Sequence, residues 1–175
     1  MKRDFLQRFC LRVSVCVFMV MVVPGFANAQ NPMFMQKNPL IGEVAPDFTL
    51  ETLSGKKMSL KQARGDNGAI VFFWATWCPH CRKALQNLVQ QKDKIEGQGI
   101  KLVIVDVEEG KGEVSAFLKK NNITMDMFLD PQGSLNEPYA LIGVPTFIFI
   151  NQKGIVRDVL HALPANYAQI IKSGS

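Results

Sequence analysis

With 175 residues, 47% of them hydrophobic, the chain has room for one ordinary domain with a real core plus a processing segment. Its formal charge of +5 drops to +2 without the first 29 residues, which carry four of the 20 Lys and Arg and one of the 15 Asp and Glu. No basic cluster with interleaved aromatics remains, which excludes the concentrated positive face that nucleic-acid binding requires.

Residues 1–29 read as a secretory signal. Lys2, Arg3, Arg8 and Arg12 precede an apolar run of 11 residues, Val13 to Val23, and Ala27 and Ala29 place small residues two apart before Gln30. A membrane-spanning helix needs about 20 apolar residues, so a cleaved signal is the main reading and an uncleaved membrane anchor the alternative. Cleavage removes Cys10 and Cys16 and leaves Cys78 and Cys81 as the only cysteines. Residues 30–41, polar and carrying Pro32 and Pro39, read as a linker, and residues 42–175 as the domain.

Within the domain, Phe48 and Leu50 alternate with polar residues, and Ser54-Gly55 turns the chain toward Met58 and Leu60, a hairpin pattern. Ala69 to Trp74 is a continuous apolar run that fits a fully buried strand. After Cys78-Pro79 the apolar positions Ala84, Leu85, Leu88, Val89 and Ile95 take helical spacing, which Gly97 and Gly99 end. Leu102 to Val107 reads as a second buried strand, Val114 to Lys120 as an amphipathic helix, and Phe128-Leu129 as a short strand. A brief helix is expected near Leu135 to Leu141. Strands Thr146 to Ile150 and Ile155 to Leu160 then form a hairpin, and a last helix runs from about Pro164 to Lys172. The order predicts an α/β fold, a mixed sheet with helices on both faces.

Cys78-Pro79-His80-Cys81 falls where the first buried strand hands over to a helix. At a helix start four backbone amides lack partners and the macrodipole is positive, both of which favour a thiolate, so Cys78 is the expected nucleophile. The three-residue offset puts Cys81 on the same turn, able to attack a mixed disulfide made at Cys78. Trp77 is expected to cover the site, Pro79 to stiffen the turn, and His80, between two reactive thiols, to tune them.

A plain stabilising disulfide is the competing reading, but loop entropy yields only about 2 kcal/mol for so small a ring against about 3 for one of 15 residues. Half a zinc site lacks its second half: no further Cys pair follows, and His161 is the only other histidine. No metal or other cofactor is needed for dithiol chemistry. Cu(I) handling by the two thiolates with His80 and a methionine, Met125 and Met127 being the close pair inside the domain, is a binding-module alternative. Thiol peroxidase is a third reading, since Ala45-Pro46-Asp47-Phe48 also occurs in peroxiredoxin-like chains.

Gly42-Glu43-Val44-Ala45-Pro46-Asp47-Phe48, then Phe73 through Cys81, then Gly143-Val144-Pro145-Thr146, in that order, resembles the TlpA/ResA-type thioredoxin-like family. The resemblance runs from Gly42 to the C-terminus. It implies a thioredoxin fold with an added N-terminal hairpin, and a cis Val144-Pro145 bond beside Cys78 whose backbone pairs with the substrate chain. It also implies a periplasmic or membrane-anchored protein that exchanges dithiols with exported proteins, cytochrome c apoproteins among them, and is recharged by a membrane electron carrier. Two positions depart from the pattern. Phe72 stands where thioredoxins place a buried carboxylate, and Ala84 stands where some ResA-like members carry a glutamate. The proton of Cys81 is then left to water, His80 or the substrate. The Pro79-His80 pair is similar to the strongly oxidising DsbA type, so the direction of electron flow stays open.

Overall fold

The computed structural model describes residues 37–173; the expected signal segment and most of the expected linker lie outside the described residues. Along the chain come β1 (Thr49–Thr52), β2 (Lys57–Ser59), α1 (Leu60–Arg64), β3 (Gly68–Trp74), α2 (Pro79–Glu96), β4 (Ile100–Val107), α3 (Lys111–Lys120), β5 (Phe128–Asp130), β6 (Thr146–Ile150), β7 (Val156–Leu160) and α4 (Tyr167–Lys172). The strands form one mixed sheet in the order β2-β1-β5-β4-β3-β6-β7. β3 and β4 are parallel, joined through α2, and β4 and β5 are parallel, joined through α3. The outer pairs are antiparallel, with the N-terminal hairpin docked on the short β5 edge.

Every residue of β3 is buried, as a central strand covered on both faces requires. Successive side chains alternate between two apolar layers. Ile70, Phe72 and Trp74 join Ile100 and Ile104 under α2, α3 and α4, whereas Ala69, Val71 and Phe73 join Val103, Val105 and Val107 on the opposite face. That second face is covered by α1 and by irregular chain that supplies Phe48, Leu135 and Tyr139. Leu40 and Ile41 already pack there, just ahead of the expected domain start at Gly42.

Four local expectations need correction. The segment Leu135 to Leu141 forms no helix: Pro138 has no amide to donate, Ala140 takes a positive φ of 47°, and the stretch stays a series of turns with Leu135 and Tyr139 buried. Leu60 starts a helix instead of ending a hairpin. Ser59 caps α1, its hydroxyl accepting from the Gln62 amide at 3.1 Å while the Gln62 side chain accepts from the Ser59 amide at 2.8 Å, a reciprocal cap written in the sequence as Ser-x-x-Gln. α3 begins at Lys111, three residues early, because Glu113 reaches back to the Gly110 amide at 2.9 Å. α4 begins only at Tyr167, since the residues after Pro164 form a turn.

Candidate active site

β3 ends at Trp74, and Ala75, Thr76 and Trp77 carry the chain from the sheet to the start of α2. Cys78 is the N-cap of that helix, in extended conformation (φ −87°, ψ 111°), with Pro79 in the first helical turn where its missing amide costs nothing. The Cys78 Sγ accepts a hydrogen bond from the Cys81 amide at 3.1 Å, so one of the free amides of the helix start points at the sulfur. Cys78 and Cys81 form a disulfide, their Cα atoms 5.2 Å apart. Cys81 is wholly buried, while Cys78 retains 5% of its surface, a narrower opening than the sequence reading anticipated.

Across that opening lies the loop before β6. The Val144-Pro145 bond is cis, and the Val144 carbonyl oxygen is 3.6 Å from Cys78 Sγ. The Thr146 hydroxyl donates to the Gly143 carbonyl at 2.7 Å and closes the loop on itself. His161 Nδ1 lies 2.9 Å from the Pro145 carbonyl and 3.4 Å from the Thr146 hydroxyl, so this histidine, read in the sequence only as an absent zinc ligand, braces the proline loop. Trp77 is 62% exposed and lines a shallow recess with Leu141, Ile142, Gly143 and Val144, Ile142 being 90% exposed. On the other side of the loop His80, Lys83, Asn87, Pro145 and His161 line a second recess, which places both histidines beside Pro145.

Two carboxyl groups that the sequence reading passed over complete the site. Glu109, buried just past β4, accepts from both the backbone amide and the hydroxyl of Thr76 and so ties down the chain leading into Cys78. Asp106 sits in β4 directly opposite Trp74, fully buried, and neither of its oxygens has a hydrogen-bond partner; the Trp74 indole Nε1 is likewise unpartnered. Burial, then the neighbouring charge of Glu109 and a close side-chain interaction with that same carboxyl, then the charge of Glu113, push the Asp106 carboxyl up to about 8. The signal was present in the sequence: an acid inside an otherwise apolar buried strand is a choice that needs a reason.

A sulfur at a helix start, a second sulfur on the same turn and an exposed backbone edge beside them can make and resolve a mixed disulfide with another chain. The chain matches the AhpC/TSA family over residues 41–159. It belongs to that family. Among curated relatives it is similar to the thiol-disulfide oxidoreductase ResA of Bacillus subtilis, 29% identical over 99% of this chain and 96% of the relative. It is similar also to the sporulation thiol-disulfide oxidoreductase A of the same organism, 32% identical over 75% of each. Among solved structures it resembles StoA from Bacillus subtilis (28% identity, TM-score 0.60, covering 74% of this chain and 96% of that one). A thioredoxin-family thiol:disulfide interchange protein from Chlorobium tepidum is comparable, with 27% identity, TM-score 0.62 and coverage of 74% and 93%. This AhpC/TSA family member is a thiol-disulfide oxidoreductase of the ResA type with a thioredoxin-like fold. Its Met127 is buried under the helices and Met125 packs against the same layer. Among the described residues no group of three or more His, Cys, Asp or Glu is placed to hold a metal ion.

Proposed function

We propose that this oxidoreductase works outside the cytoplasm on exported proteins, with Cys78 as the attacking or attacked sulfur and Cys81 as the resolving one. The observation that carries the reading is the asymmetry of the pair: only Cys78 reaches the surface, and it does so beside the Val144 carbonyl, an unpaired backbone edge on which an extended substrate chain can lie. Trp77 and Ile142 flank that edge and favour apolar side chains next to the substrate cysteine. Export rests on the basic, apolar and small-residue pattern of residues 1–29. The thioredoxin-like resemblance adds cytochrome c apoproteins as a substrate class and a membrane electron carrier as redox partner. Pro79-His80 supports a comparatively oxidising couple.

The test is a trap. A Cys81→Ser variant expressed with its own N-terminus forms covalent adducts through Cys78, which are separated on non-reducing gels and identified by mass spectrometry. Adducts with exported cysteine proteins support the reading, and adducts with cytosolic proteins alone overturn it. Hydrogen peroxide turnover and anaerobic Cu(I) titration of the reduced protein, run in parallel, decide against it if either exceeds dithiol exchange.

A further inference from the structure

His80, Lys83, Ala84 and Asn87 fall on one face of α2, at the spacing that makes helical residues neighbours. That face, with Pro145 and, just after β7, His161, walls the recess beside the cis proline, about 300 Å³ in volume and sized for a single side chain. Its polar groups share one sense. The Lys83 side chain is exposed and forms no ion pair among the described residues. Asn87 Oδ1 already accepts from Gln91 Nε2 at 2.6 Å, which leaves the Asn87 amide N–H groups to donate. The Pro145 carbonyl can only accept, so His161 carries a proton on Nδ1, and its Nε2 has no partner among the described residues. Ala84 contributes no charge, and no carboxylate lines the recess. The start of α2 adds the positive end of the helix dipole. The recess on the other side of the Val144–Pro145 edge is different in kind: Trp77, Leu141 and Ile142 make it apolar, and its charged group, Glu108, already accepts from Asn136 at 2.7 Å.

We propose that this recess selects protein substrates that carry an acidic side chain on one particular side of the reacting cysteine; the proposal rests on the dithiol-exchange reading above. A substrate chain laid along the Val144 carbonyl has a recess to either side of that edge, so the side chains flanking its cysteine meet opposite surroundings. One flank meets Trp77 and Ile142 and is apolar. The other meets Lys83, Asn87 and His161 and is Asp or Glu. A carboxylate there accepts from the Lys83 amine and the Asn87 amide, and it draws a second proton onto the His161 ring so that Nε2 donates as well. A basic side chain in the same place faces the Lys83 charge and is disfavoured. The selection is therefore by placement of the charge and not by the net charge of the substrate.

The experiment opens the disulfide of the oxidised protein with short single-cysteine peptides. The peptide thiolate attacks Cys78 Sγ, the Cys78–Cys81 bond breaks, and Cys81 leaves with the electron pair and takes a proton from solvent. The mixed disulfide is trapped by acid quench and quantified by mass spectrometry, with rates expressed per peptide thiolate. Two isomers of one composition are compared: glutamate before the cysteine with glutamine after it, and the reverse. A second pair has lysine in place of glutamate. One glutamate isomer is expected to react about 5-fold faster than the other, the upper reach of an exposed ion pair, and the lysine pair to show the opposite order. Lys83→Glu, at an exposed position that leaves the core untouched, inverts or erases the order of the glutamate isomers, and about 1 M salt narrows it in the wild type. Equal rates for the two glutamate isomers, or an order that Lys83→Glu leaves unchanged, overturn the proposal and leave dithiol exchange standing. No opening by any peptide overturns the dithiol reading itself, and this proposal with it.

Discussion

Cys78 and Cys81 differ in what surrounds them, and that difference supports the roles proposed for them. The Cys81 amide and the helix start stabilise negative charge on Cys78, and full burial withholds Cys81 from any partner larger than Cys78 itself. His80 is exposed, and the role proposed for it is to favour the reduced, anionic Cys78 over the uncharged disulfide. Replacing it with glutamine is therefore expected to raise the Cys78 pKa and lower the potential together, by about 30 mV if the contact contributes about 1.4 kcal/mol. Thiolate absorbance and glutathione equilibration check this, and an unchanged or more oxidising His80→Gln protein refutes it. Asp106 makes a second prediction at the same scale. Its folded pKa of about 8 exceeds the ordinary carboxyl value of 3.8, so the folded state binds more protons than the unfolded state between those limits. Stability is full below pH 4, declines by up to about 1.4 kcal/mol per pH unit through the window, and levels off above about 8. Thermal melts from pH 4 to 9 should show that decline in the wild type and a flatter profile in Asp106→Asn.

At the scale of elements, α2 does two jobs at its two ends. Its N-terminus presents the cysteines, and the Leu85, Leu88 and Ile95 stripe anchors the helix on β3 and β4 so that the amides stay aimed. α4 closes the same layer against the start of β3, where the approach is tight enough to require glycine: a Cβ on Gly68 would stand 2.5 Å from the Ile171 side chain and 3.1 Å from the Ile150 carbonyl. Gly68→Ala should push α4 away and cost about 1–3 kcal/mol, as overpacking does. Denaturant unfolding measures it, and an unchanged midpoint would show that α4 shifts freely. The same variant should leave the potential near its wild-type value, since α4 lies at the end of β3 opposite Cys78.

Across the whole molecule, the site is assembled from three stretches far apart in the chain: the Cys78 helix start, the Val144–Pro145 loop and the end of β4 with Glu109. The parallel β3-β4 pairing brings Asp106 beside Trp74, and the antiparallel β3-β6 pairing sets Thr146 against Phe73 and so delivers the proline loop to Cys78. The opposite face is closed by irregular chain, stitched where the Tyr139 hydroxyl donates to the Pro46 carbonyl at 2.5 Å and Phe48 packs edge-on against Phe128. Tyr139→Phe keeps the ring and loses that bond. It should cost about 1 kcal/mol, the net worth of one hydrogen bond, in urea unfolding, with dithiol exchange little changed.

The central strands, the long helix and the place of the cysteine pair at its start were legible because each rests on local chemistry: continuous apolar runs, helical spacing from Leu85 to Ile95, and a proline just after the first thiol. The turns over Leu135 to Leu141 were misread because apolar spacing alone does not register the missing Pro138 amide and the positive φ of Ala140. The Ser59–Gln62 cap was readable but was absorbed into a hairpin. Glu109 and His161 carried no local signature of function, and Asp106 showed only as an acid inside an apolar run. A carboxyl holds its proton to higher pH only when burial removes its water, and a histidine becomes a brace only when a carbonyl 16 residues away in sequence is folded to within 2.9 Å of it. The residue types and local periods are properties of the chain, but dielectric and long-range proximity exist only once the sheet has closed.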